Sequence, residues 1–263
     1  MSFEVINEEA PVEAVGEAEE VQRATRIFPF YTIVLIASLV AVFLAQLFAD
    51  GQNSVVEGGR NSILLAGFVK QFFNEGQYWR ILTGAALHGG IIHLGFNAYA
   101  LYVLGKLIET LSNRAHLAIV FLLAAIGGGV LSLIFLPETP TVGASGGIVG
   151  FLGYLTVYGF KRRKLLPEGF LKNMLFNVGF MAFLGIAVVP NIDNFGHLGG
   201  LLVGAIYGAI QIPTDLYKDP RETNQPTKIF GVAALGIFLA AAIFSILILL
   251  GILNIPFPEI YLS

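Results

Sequence analysis

A few side chains in this 263-residue sequence have the chemistry and spacing for nucleophilic catalysis. Ser145 lies within Gly143-Ala144-Ser145-Gly146-Gly147, where a Pro-containing loop gives way to an apolar run. A serine at a helix start has backbone N–H groups beside it that lack intrahelical partners, and the helix dipole there favours negative charge. Flanking glycines let a substrate backbone come close. His197, in Asn194-Phe195-Gly196-His197-Leu198-Gly199-Gly200, supplies the base that would activate such a hydroxyl. His93 and Asn97 are four apart and share one helix face. Two donors aimed at one point suit a developing oxyanion. Each element also has a plainer reading. Ser145 could be an N-cap among packing glycines, His197 a helix-terminal polar residue, and His93 with Asn97 an interhelical hydrogen-bonding pair. His88 is read as structural in preference to catalytic, and His116 as unrelated to the site. Asp193, four residues before His197, is expected to cap a helix rather than complete a triad.

The elements that must position these groups follow from composition. Of the residues, 56% are hydrophobic and 13% charged, against roughly 25% charged in ordinary soluble domains. Seven runs lack Asp, Glu, Lys and Arg: 27–49, 81–105, 115–137, 139–160, 173–192, 194–214 and 229–258. Each is long enough to span a bilayer as a helix, which takes about 20 residues. In hydrocarbon every backbone donor needs an internal partner, so the runs predict seven helices. The short alternating segments of a membrane barrel are absent. The fold class expected is an all-α membrane protein.

With the N-terminus in the cytoplasm, the inner loops receive 12 of the 15 Lys and Arg residues. Only Arg60, Lys70 and Arg80 fall outside. Cytoplasmic loops carry such an excess, so seven spans place the C-terminus outside, and the cell (inner) membrane is the expected location. With no cysteine, disulfides and thiol chemistry are excluded. Residues 1–26 are expected to be an acidic cytoplasmic tail, with seven glutamates in the first 20 positions and no signal-peptide pattern. Residues 27–214 read as a six-helix catalytic core with a long first outer loop at 50–80. Residues 215–228 read as a cytoplasmic linker, and 229–263 as a seventh, lipid-facing span with a short outer C-terminus.

Gly196, Gly200, Gly204 and Gly208 recur every four residues and make one smooth helix face. Gly146, Gly150 and Gly153 offer a small face on the fourth run. Faces of this kind permit close packing, and both runs descend from the outer side, so Ser145 and His197 are expected at matching depth. The first outer loop, with Ile63, Leu64, Leu65, Phe68, Val69, Phe72 and Phe73 before Tyr78-Trp79-Arg80, is expected to lie partly in the outer interface.

Other chemistries fit less well. Gly143-x-Ser145-x-Gly147 matches a nucleophile elbow, but that needs a strand and a soluble sheet. A metal site from His88, His93 and His197 lacks a carboxylate or an HExxH helix, and a transporter would show inverted repeats and broken helices. Taken together, Gly143–Gly146 (GASG), Gly196–Gly200 (GHLGG) and His88–Asn97 (HGGIIHLGFN) resemble the rhomboid family of intramembrane serine proteases. Trp79, Arg80 and the stretch Gly105 to Glu109 add to the resemblance, which covers about residues 28–213. It implies a six-plus-one helix arrangement and cleavage of transmembrane-protein substrates through an acyl-enzyme. It implies Ser145 as nucleophile, His197 as base, and His93, Asn97 and the Ser145 amide as oxyanion donors, with structural places for Trp79, Arg80 and Glu109. The lipid bilayer is the other expected partner, with no cofactor, metal or nucleic acid. Val149 stands where many members have a Tyr stacked on the histidine. A catalytically dead rhomboid-like binder is the rival; such relatives lack the serine or the histidine, and this chain keeps both.

Overall fold

The computed structural model describes residues 28–51, 54–188 and 192–256. The acidic tail expected at 1–26 lies outside these, as do the last seven residues. Among the described residues the fold is entirely helical, apart from one isolated antiparallel bridge between Phe68 and Thr141. The helices are α1 (Phe30–Asp50), α2 (Arg60–Ala66), α3 (Lys70–Asn74), α4 (Arg80–Ala86), α5 (Ile91–Leu111), α6 (Arg114–Phe135), α7 (Ser145–Lys161), α8 (Phe170–Phe183, continued by a π turn at Leu184–Val188), α9 (Asn194–Gln211) and α10 (Gln225–Leu249).

Among the described residues each charge-free run holds a helix, and the second is interrupted. The second run breaks at Leu87–Gly90, so that α5 begins only at Ile91. Gly90 makes this turn at φ 107°, where a Cβ would also lie 2.0 Å from the Val56 carbonyl oxygen. Five helices are long and apolar enough to cross a membrane: α1, α5, α6, α8 with its π turn, and α10. The other two, α7 and α9, hold 17 and 18 residues and are rich in glycine.

Contacts between neighbours show alternating directions. Thr32 meets Glu109 and Gln46 meets His88, so α1 and α5 are antiparallel. His93 lies beside Gly143 at one end, and Leu111 accepts from the Tyr158 hydroxyl at the other, so α5 and α7 are parallel.

The centre is the contact of α9 with α7 and α6. A Cβ on Gly200 would sit 2.0 Å from the Gly146 oxygen, and one on Gly204 would sit 1.9 Å from the Gly150 oxygen. These pairs rise together along both chains, so α7 and α9 run parallel in register. The flank of α9 is equally tight against α6, where a Cβ on Gly199 would lie 2.4 Å from the Gly127 oxygen. The glycine face thus seats α9 against two helices rather than the one expected.

The lipid-facing reading of the last helix needs correction. Phe238 on α10 is fully buried edge-on against Phe121 of α6 at 4.8 Å, and Ala234, Ala242, Ser245 and Ile248 are also buried. A Cβ on Gly231 would clash with Ala115 at 2.5 Å. The apolar composition of α10 hid an inward stripe, because a helix that is hydrophobic all round shows no preferred face.

The segment between α1 and α5 is a structured platform. Arg80 is buried, donates to Gln77 Oε1 at 2.6 Å and the Gly67 carbonyl at 2.8 Å, and lies against the rings of Phe72 and Trp79. Thr83 donates to the Ala66 carbonyl at 2.7 Å. The bonds to Ala66 and Gly67 satisfy carbonyls at the C-terminal end of the short helix α2 and tie it to α4.

Candidate active site

The site forms where α5, α7 and α9 all begin. Ser145 is the first residue of α7 and His197 the fourth of α9. The parallel glycine contact sets these two helix ends level, and Nε2 of His197 lies 2.9 Å from Oγ of Ser145. Both residues are half-buried. This is hydrogen-bond reach for an imidazole that takes a hydroxyl proton. The hydrogen bond needs one proton between the two atoms, with Oγ donating when Nε2 is unprotonated.

His93 and Asn97 approach the same helix start from α5. Gly143 has φ 127°, and a Cβ built there would stand 2.7 Å from Cε1 and 3.0 Å from Nε2 of His93, and 3.9 Å from Nδ2 of Asn97. Both side chains therefore face the peptide that leads into Ser145. The Gly89 N–H donates to Nδ1 of His93 at 3.3 Å. An acceptor Nδ1 leaves the ring proton of the neutral imidazole on Nε2, the atom nearer Gly143. Asn97 is buried and spends one amide hydrogen on the His93 carbonyl at 3.1 Å, which leaves a second donor.

The loop before Ser145 is held from below. Phe68 and Thr141 exchange both backbone hydrogen bonds at 3.1 Å, and the Gly143 N–H donates to the Gly84 carbonyl at 2.9 Å. Lys70 is fully buried and donates to the Thr139 carbonyl and to Oγ1 of Thr141. Thr141 Oγ1 in turn donates to Oδ2 of Asp193 at 3.1 Å. Asp193 acts as the expected N-cap, with Oδ1 accepting from the Gly196 N–H at 2.7 Å. A cavity of about 40 Å³ opens beside the serine and histidine, lined in part by Gly84, Ala85, Gly128, Gly129 and Asp193.

All four residues singled out from the sequence, Ser145, His197, His93 and Asn97, thus meet at one place. His88 stays apart from Ser145. Its ring is fully buried edge-on against His93 at 5.2 Å, in keeping with a structural part. His116 pairs with the Tyr207 hydroxyl at 2.8 Å near the other ends of these helices. Val149 is buried on α7. Among the described residues no cluster of His, Cys, Asp and Glu has the makings of a metal site.

Sequence reasoning missed two supports. Gln46 of α1 accepts from the His88 N–H at 2.9 Å and donates to the His88 carbonyl at 3.0 Å, clamping the turn that precedes His93. Its position as a lone amide in an apolar span was the available signal. Lys70 gave no local signal, since its partners lie about 70 residues away.

Fold and site define an all-helical integral membrane protein with a serine and a histidine in contact at the ends of two glycine-packed helices. Residues 75–214, over half of the chain, match the rhomboid domain, and the chain belongs to the rhomboid family. It is 35% identical to Rhomboid protease GluP of Bacillus subtilis (strain 168) over 184 residues, which are 67% of this chain and 34% of that protein. It is 32% identical to RHOMBOID-like protein 6, mitochondrial, of Arabidopsis thaliana over 163 residues, 59% of this chain and 52% of that one. RHOMBOID-like protein 2 of the same plant is 33% identical over 156 residues, 56% of this chain and 47% of the relative. The chain thus spans from about a third to about half of the length of these relatives.

Proposed function

We propose that this protein is an intramembrane serine endopeptidase that cuts transmembrane-protein substrates through a Ser145–His197 dyad. The observation that carries the reading is the 2.9 Å contact between Ser145 Oγ and His197 Nε2, with His93 and Asn97 facing the peptide just ahead of the serine. Membership of the family and the likeness to a protein named a rhomboid protease support it.

Ser145 Oγ attacks the scissile carbonyl carbon while its proton passes to His197 Nε2. The carbonyl oxygen becomes an oxyanion, and His93 Nε2–H, Asn97 Nδ2 and the Ser145 N–H stabilise it. Collapse expels the amine, which takes the proton from His197, and leaves an acyl-enzyme on Ser145. His197 then draws a proton from water as it attacks the ester, and the carboxylic acid product departs with Ser145 restored.

The small cavity beside the serine, walled largely by glycine and alanine, favours a small side chain at the cut. A helical substrate must unwind to present its carbonyl, which favours helix-breaking residues nearby. The N-terminus lies in the cytoplasm and the site near the outer surface, since the basic loop residues cluster at the opposite helix ends.

The experiment is reconstitution of the purified chain in liposomes with a transmembrane segment carrying alanine flanked by glycine and proline. Wild type yields two fragments and Ser145→Ala none. An intact substrate that binds wild type and Ser145→Ala equally identifies a binder instead.

A further inference from the structure

Lys70 is the least expected side chain near the site. It is a lysine with no solvent exposure on the short helix α3, far in sequence from both of its hydrogen-bond partners. Lysine is almost never fully buried unless paired. Its ammonium donates to the Thr139 carbonyl and to the Thr141 hydroxyl, and lies 5.2 Å from the Phe68 ring centroid. Thr141 also contacts the buried Ser132 hydroxyl at 3.1 Å. Its own proton goes to Asp193, whose other oxygen caps α9 and whose backbone carbonyl accepts from the His197 N–H at 3.0 Å.

We propose that Lys70, Thr141 and Asp193 form a charge-balanced relay that positions His197 and sets its basicity, with Lys70 offsetting the Asp193 carboxylate beside the ring. The inference rests on the dyad reading above. A plain staple between loops would need no charge, because the Phe68–Thr141 bridge already joins them. The Lys70 ammonium and the Asp193 carboxylate share the Thr141 hydroxyl, and Asp193 and His197 line the same small cavity. Among the described residues, the other groups facing His197 are the Ser145 hydroxyl from α7 and His93 from α5. Neither carries a compensating negative charge, so Asp193 is the local anion and Lys70 its local cation. A carboxylate released from its partner favours the protonated imidazole, and loss of the carboxylate disfavours it.

The test is the pH dependence of Ser145 labelling by a fluorophosphonate in the full-length, detergent-solubilised protein. Lys70→Met keeps an unbranched side chain, one atom shorter, and removes the charge; Asp193→Asn keeps the cap oxygen and removes the charge. The acid limb of the labelling rate is expected to move up by about one pH unit in Lys70→Met and down by a similar amount in Asp193→Asn. The double variant is expected to return near wild type, and Lys70→Gln or Asp193→Ser replaces a single variant that folds poorly. Acid limbs that coincide in all variants, with only melting temperature altered, overturn the relay and leave the dyad standing. Labelling of wild type that is undiminished in Ser145→Ala overturns both.

Discussion

Gly200 rests directly on the backbone of Gly146. A methyl at its Cβ position would fall 2.0 Å from the Gly146 carbonyl oxygen, with the carbonyl carbon at 2.8 Å. The obstructing atoms are backbone, so no rotamer change can make room. One turn on, Gly204 meets Gly150 in the same way. This contact sets the distance between α7 and α9 and therefore the distance between Ser145 and His197.

Gly200→Ala is accordingly expected to cost at least about 1–3 kcal/mol, the usual range for overpacking, and to reduce activity with stability. Gly236, whose Cβ would meet nothing within 4 Å, is the control. Gly236→Ala should leave melting temperature and turnover at wild-type values. Thermal melts of both variants beside turnover decide the matter, and an unchanged melt for Gly200→Ala would contradict the packing account.

Asn97 distinguishes chemistry from support on α5. Removal of one oxyanion donor typically costs about 10²–10³ in turnover. Asn97→Ala gives up only a bond to a carbonyl of its own helix in the folded protein. Turnover should fall by that factor while substrate affinity and melting temperature stay near wild type. Loss of stability with turnover preserved in the folded fraction would make Asn97 a strut instead.

Gly143 combines two constraints. Its φ of 127° disfavours any L side chain, and a Cβ would meet Cε1 of His93 at 2.7 Å. Gly143→Ala should cost about 1–3 kcal/mol in backbone strain and displace His93 from the peptide ahead of Ser145. The readout is stability together with the labelling rate of Ser145. Wild-type behaviour in both would show that His93 does not depend on this close approach.

Much of this is legible in the sequence. Loss of backbone solvation forces charge-free runs of this length into helices, and the four-residue glycine period marks a face that can meet a neighbour's backbone. Three parallel helix starts then bring Ser145, His197, His93 and Asn97 together. The break ahead of Ile91 was not visible in hydropathy, because Leu87 to Gly90 carries no charge. Gly89-Gly90 was the neglected turn signal. The inward stripe of α10 was hidden by its uniform apolarity. In the sequence Lys70 reads as an outer-loop charge, whereas folding buries it against a loop some 70 residues on, and no local pattern encodes such a contact.

Lys70 also carries a pH signature outside the spanning segments. Burial pushes its ammonium down from 10.5 to about 8, with the Asp193 carboxylate opposing. A basic group whose value is lower when folded binds its proton less tightly in the native state. Its burial penalty is therefore full below about pH 8 and is relieved as pH rises towards 10.5. The melting temperature of wild type relative to Lys70→Met should thus rise between these limits. A difference that is flat or falling with pH would contradict a buried, charged Lys70.

The central claim is that Ser145 is a nucleophile activated by His197. A fluorophosphonate added to purified protein tests it most directly, because phosphonylation needs an activated hydroxyl and an oxyanion site but no known substrate. Wild type is expected to be labelled stoichiometrically at Ser145, located by peptide mass analysis. Labelling should vanish in Ser145→Ala and fall by at least about 10³ in His197→Ala, with both variants retaining wild-type melting behaviour. Labelling at another residue, or undiminished labelling in His197→Ala, would contradict it.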